Sequence, residues 1–111
     1  MFEIKNPATG KQIEVAENDF EETMDWEQAT RACFELGNGW RLPTKSELEL
    51  MITELHKNGK GNFKDSVYWS SSEDENFENY YYAYFINYRL RTLDPETHVC
   101  SVRAVRDLII Q

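Results

Sequence analysis

The sequence predicts an α+β domain: an N-terminal hairpin, two helices, then a small antiparallel sheet. Three observations carry that reading. Two short alternating runs flank a turn-rich connector at the start, two stretches of helical spacing each open on a capping residue, and from Val67 onward the apolar pattern turns strand-like. Helices in one part of the chain and strands in the rest argue against the regular alternation that builds a parallel sheet. With 111 residues, no internal repeat and no linker, residues 1–111 are expected to form one domain, large enough for a core without obligatory disulfides or metal.

Taken in order, Phe2 to Ile4 and Gln12 to Val15 are the hairpin arms, and Asn6-Pro7-Ala8-Thr9-Gly10 supplies the turn. From Glu14 to Glu27 there are seven acids and no Lys or Arg. Their irregular spacing suits a solvated surface better than a metal site. Asp25 is placed to cap the amide of Gln28 while Gln28 reaches back, so a helix starts there and sets Trp26, Ala29, Thr30, Cys33 and Phe34 mostly along one side. Gly37 supplies the left-handed residue that ends it.

The stretch Gly39 to Leu48, GWRLPTKSEL, prepares a second helix. Pro43 forces Leu42 into an extended conformation, and Thr44 with Glu47 forms a capping box. Leu48, Met51, Ile52 and Leu55 then repeat at helical spacing as far as Asn58-Gly59. Trp40 and Leu42 are expected to pack under this helix. Arg41 is either exposed or buried against a carboxylate, and pairing is favoured because an unpaired buried guanidinium is too costly.

Val67 to Ser70 is the next strand, followed by a polar, acidic stretch from Ser71 to Asn79. Between Tyr80 and Leu90 the even positions Tyr84, Ile86, Tyr88 and Leu90 form one apolar face, expected to meet the core, while Phe85, Asn87, Arg89 and Arg91 form the other. Val99 to Val105 is the last expected strand.

Charge narrows the function classes. Twelve Lys and Arg stand against 20 Asp and Glu, a net charge of -8. Nucleic acid and anionic membrane surfaces attract clustered cations, so neither is an expected partner. No apolar run approaches the roughly 20 residues of a membrane helix, and MFEIKNPATG lacks the pattern of a secretory leader. The expected location is therefore cytoplasmic, or within a phage particle. Cys33 and Cys100 are too few and too far apart for a disulfide framework or a close-spaced metal site.

No catalytic residue, cofactor or metal is expected. His56 and His98 have no Ser or Cys at a spacing that pairs nucleophile with base. Asp74, Asn76 and Glu78 imitate the opening of a calcium loop, but the glycine and the closing glutamate are missing. The strongest functional signal is Asn76 to Arg91, NFENYYYAYFINYRLR. Tyr offers contact area at little entropic cost and Asn offers adaptable hydrogen bonds, the composition of an antibody-like paratope. Asn79, Tyr80, Tyr81, Phe85, Asn87, Arg89 and Arg91 are the candidate ligand-binding residues; the alternative is an ordinary solvated sheet face.

Several blocks in this order resemble the Lcl C-terminal-like domain family: Asp25-Trp26-Glu27-Gln28-Ala29 with Cys33 and Gly37, Trp40-Arg41-Leu42-Pro43-Thr44 with Glu47, Tyr68-Trp69-Ser70-Ser71-Ser72-Glu73, Ala83-Tyr84 with Tyr88, and Val102-Arg103-Ala104-Val105-Arg106. The resemblance spans about Phe20 to Arg106 and implies a C-type lectin-like fold. It departs from the family at Tyr84, usually Trp, and near Arg91, usually Gly. The Leu42-Pro43-Thr44 segment is distantly similar to formylglycine-generating enzymes, whose catalytic cysteine region has no counterpart here. The calcium-dependent sugar motifs of lectins proper are absent too, Asp94-Pro95-Glu96 being the nearest sequence.

The resemblance also implies that Cys33 and Cys100 lie close, as a helix-to-last-strand pair, with or without a bond. Some relatives are variable proteins of diversity-generating retroelements, whose contact residues occupy the stretch matching Asn76 to His98. The expected function is thus non-enzymatic recognition of a protein or glycan ligand. A structural or assembly domain that uses the same aromatic face as a subunit interface is the alternative.

Overall fold

In a computed structural model, which describes residues 1–87 and 89–108, the chain is α+β with two helices and two three-stranded antiparallel sheets. Strands β1 (Phe2–Lys5) and β2 (Gln12–Val15) form the expected hairpin, with Ile4 opposite Ile13. Gly10, at φ 74°, closes its turn by donating to the Asn6 carbonyl at 2.8 Å. The third strand of that sheet is C-terminal: β6 (Val105–Asp107) pairs with β2 and sets Val105 opposite Val15. The second sheet is the meander β3 (Val67–Glu73), β4 (Tyr81–Phe85) and β5 (Arg89–Leu93).

Both helices begin where the capping chemistry placed them. Asp25 accepts from the Gln28 amide at 2.8 Å and Gln28 returns the bond at 3.1 Å, opening α1 (Trp26–Glu35). Thr44 and Glu47 make the same reciprocal pair at the start of α2 (Lys45–Glu54). After Leu55 the chain tightens into a 3-10 turn, His56–Asn58, and Gly59 turns it left-handed. Neither helix is long and apolar enough to cross a membrane among the described residues.

The core has two halves, one on each face of the meander. Leu48, Met51, Ile52 and Leu55 of α2 pack with Ile4, Ile13, Val15, Tyr68 and Tyr84. On the other side Ala29 and Cys33 of α1 pack with Leu42, Trp69, Ala83, Cys100 and Val102. Trp40 and Leu42 therefore serve the α1 half rather than lying under α2. On α1 itself only Ala29 and Cys33 are buried, and Phe34 is 76% exposed, because the buried stripe is narrower than the apolar one.

Two strand expectations change. The run from Tyr80 to Leu90 is a hairpin rather than one strand: Tyr84 and Ile86 are buried as expected, but the chain reverses after Phe85. Leu90 then pairs with Tyr84 from the open edge of the sheet, where it is 41% exposed. Tyr88 lies outside the described residues. The last strand begins at Val105, not Val99, and Val99 is exposed. From Cys100 to Ala104 the backbone bonds to four different segments in turn: Met24, Val67 and Trp69, Phe20, and Ala16.

That crossing is anchored by Arg103, whose side chain is fully buried against Asp19, 3% exposed. The guanidinium donates to Asp19 at 2.8 Å and to the carbonyls of Ala16, Gly61 and Asn62 at 3.1, 2.6 and 3.1 Å. It also covers the Phe63 ring at 4.3 Å, and the second Asp19 oxygen accepts from the Tyr68 hydroxyl at 2.7 Å. Asp19 thus departs from the solvated acidic surface expected of its run, since a buried charge is tolerated when paired and fully hydrogen-bonded. Gly61 has room for no side chain here: at φ 94° a Cβ would come within 2.3 Å of the Phe63 ring.

Arg41 is paired, as favoured. Its guanidinium makes two 2.8 Å bonds to Glu47 and one to Asp107, linking the α2 cap to β6. Burial alone would raise the Glu47 carboxyl, but Arg41 and the Thr44 amide outweigh it and hold the pKa below the ordinary glutamate value.

Removing one partner of a buried ion pair strands the other, so Arg103→Ala or Asp19→Ala is expected to cost about 3–5 kcal/mol in urea unfolding. A loss below about 1 kcal/mol would show the pair to be dispensable. Cys33 and Cys100 are free, buried thiols, and burial pushes both pKa values up to about 12. Ellman's reagent at pH 8 is expected to label neither in the native protein and both after unfolding.

Candidate functional site

The residues that gather into a site do so because β3 continues past Trp69 with an irregular register and the chain returns at Tyr81. Asp74 organises the intervening loop. One oxygen accepts from the amides of Asn76 and Phe77 at 2.7 and 3.3 Å, and the other accepts from the Thr92 hydroxyl at 2.6 Å. Thr92 first, then the Asn76 amide, hold its carboxyl below the ordinary aspartate value. Asp74 therefore acts as a loop clasp. Asn79 takes the left-handed backbone region at φ 66°, which Asn tolerates better than most residues, and its amide donates to Glu73 at 2.8 Å.

The loop delivers Tyr80 and Tyr81 beside the start of α1. Tyr81 stacks on Trp26 with ring centroids 3.8 Å apart and planes 16° from parallel. The Trp26 indole is fixed in turn by donating to the Ser70 carbonyl at 2.9 Å, so α1, β3 and β4 all hold this pair. Tyr80 is 40% exposed and tilts toward Phe77.

Together these residues line an open groove of about 710 Å³. Trp26, Tyr80, Tyr81 and Pro95 give it apolar surface, and Asn79 gives it an amide. Asp25 and Glu27 border it from α1, and Asp94 and Glu96 border it from the turn after β5. The volume falls within the range of about 300–1,000 Å³ usual for small-ligand pockets. Burial, and then the Glu73 charge, raise the pKa of the Tyr81 phenol above its ordinary value.

The sequence-derived candidates split in two. Asn79, Tyr80 and Tyr81 line the groove. Phe85, Asn87 and Arg89 stand at the opposite end of the β4–β5 hairpin, with Phe85 half-buried opposite Val67 and Arg89 and Asn87 donating to Asp65 at 3.3 Å, while Arg91 pairs with Ala83 midway along it. The proposed odd-numbered face is not one exposed surface, because Ala83 in its middle is fully buried in the α1 half of the core.

Trp26, Asp25, Glu27 and the Asp94–Glu96 turn also line the groove, although the sequence places them on a helix face, at a cap, in a solvated acidic run and at the nearest match to a lectin motif.

A family model described as the Lcl C-terminal domain matches residues 6–106, reaching further toward the N-terminus than the blocks alone. The chain belongs to that family. No curated protein matches it significantly.

With Asp74→Ala the loop loses its clasp, and hydrogen exchange at the amides of Asn76 and Phe77 is expected to quicken at least tenfold while the α2 amides hold. Unchanged exchange at those two amides would show that Asp74 does not order the loop.

Proposed function

We propose that this Lcl C-terminal domain is a non-enzymatic ligand-binding module of C-type lectin-like type, holding a protein or glycan ligand in the groove beside Trp26 and Tyr81. The observation that carries the reading is the stacked Trp26–Tyr81 pair, fixed by three elements and opening onto a groove with Tyr80, Asn79 and carboxylates around it. Rigid aromatics give a ligand contact area without losing rotamer freedom, and the polar rim orients it. Interfaces draw most of their energy from such anchors.

The chemistry of the remaining residues supports binding over catalysis. Both thiols are buried with raised pKa values, and Asp74 is engaged by three donors. His56 packs edge-on against Phe63, and His98 bonds to its neighbours Asp94 and Thr97.

Ligands selected from a glycan array and a peptide-display library, using the whole chain as bait, are expected to lose at least tenfold in affinity with Tyr80→Ala, about 1.4 kcal/mol or more. Tyr80 is exposed enough that the melting temperature should not move. Selected ligands that ignore Tyr80→Ala and Asn79→Ala would place recognition elsewhere. A stable oligomer in sedimentation that occludes Tyr80 and Phe77 would favour an assembly domain instead.

A further inference from the structure

We infer that the occupant of this groove is cationic: a Lys- or Arg-bearing segment of a partner protein, laid with a basic side chain against the aromatic rings. The inference rests on the groove being the binding site and adds the chemistry of what it takes.

Charge complementarity argues for it. Asp25, Glu27, Asp94 and Glu96 line the groove, and among the described residues no Lys, Arg or His does. These carboxylates are only partly engaged. Asp25 and Asp94 each hold a backbone amide with one oxygen, at 2.8 and 2.9 Å, leaving the second without a partner among the described residues. Glu27 meets Arg31 at 3.3 Å with both side chains well exposed, and the Glu96 carboxylate has no partner among the described residues.

Two of the four carboxylates are thus held through one oxygen while their charge is not neutralised. A guanidinium or ammonium entering here gains charge-assisted hydrogen bonds, which are about twice as strong as neutral ones. It also gains cation–π attraction from the rings, which strengthens as the cation is desolvated. The α1 N-terminus contributes roughly half a positive charge, which four carboxylates outweigh. A sulfated or phosphorylated ligand meets repulsion from the same groups and from a chain of net charge -8.

The test uses the isotope-labelled full chain and three probes: a capped peptide alternating Gly and Arg, its Gly/Glu counterpart, and a neutral dextran oligosaccharide. The Gly/Arg peptide is expected to shift the Trp26 indole and the Asn79 to Tyr81 amides in NMR spectra, and the Gly/Glu peptide is not. Asp94→Asn with Glu96→Gln, which keeps the shape and removes two charges, is expected to weaken the Gly/Arg peptide about fivefold. Affinity is also expected to fall several-fold as salt rises from about 0.05 to 0.5 M.

Gly/Arg binding that leaves those resonances unmoved, or that is indifferent to the double variant, overturns the inference. If dextran shifts the same resonances and the Gly/Arg peptide does not, the groove stands as a binding site and its cationic preference falls. Silence from all three probes at the groove overturns the preference as well.

Discussion

Arg103 is the point through which the rest of the structure is tied. Its guanidinium reaches the Ala16 carbonyl and Asp19 after β2, the Gly61 and Asn62 carbonyls before β3, and the Phe63 ring, while Asp19 passes the connection on to Tyr68. All these segments lack regular secondary structure except Tyr68 itself. The buried Gly61 carbonyl would otherwise lack a donor, a cost of about 1–3 kcal/mol. One planar cation with five donors satisfies several acceptors at once, which a Lys at the same position could not do.

The two core halves explain why the site forms where it does. The β3–β4 pair is buried on both faces, with Tyr84 toward α2 and Ala83 toward α1, so the central meander has little freedom to shift. A one-residue slip would exchange the two faces. Fixed in that way, β4 brings Tyr81 against Trp26, and the Asp74 clasp brings Asn79 and Tyr80 around it. Rigidity at the aromatic pair follows from packing beneath it, and the acidic border follows from the turn after β5 meeting the cap of α1, where the Trp26 amide donates to the Pro95 carbonyl at 3.4 Å.

A network of polar contacts outside the core sets the closure of the N- and C-terminal parts. Arg41 spans the α2 cap and β6 through Glu47 and Asp107, and Arg106 bonds to Glu14 at 3.3 Å while lying 4.6 Å over Trp40. The stretch that reads most like a motif, Trp40 to Glu47, is therefore an architectural joint: Arg41 exchanges backbone hydrogen bonds with Val105 at 2.8 and 2.9 Å as well.

Local chemistry settled what the sequence determined alone. The hairpin arms, both capping boxes, the α2 stripe and the burial of Tyr84 and Ile86 depend on residues within a few positions of one another, and were legible for that reason. Three of the residues that composition singles out, Asn79 to Tyr81, line the groove. The turn after Phe85, the late start of β6, the burial of Asp19 and the convergence of Trp26 with Tyr81 and Asp94 were not. Each depends on a partner 45 or more positions away in the chain or on the reversal of a strand into a hairpin, where periodicity carries no record of which face meets which neighbour. Only the packed tertiary structure decided that an acid from a run of acids should be buried, because only there does Arg103 meet it.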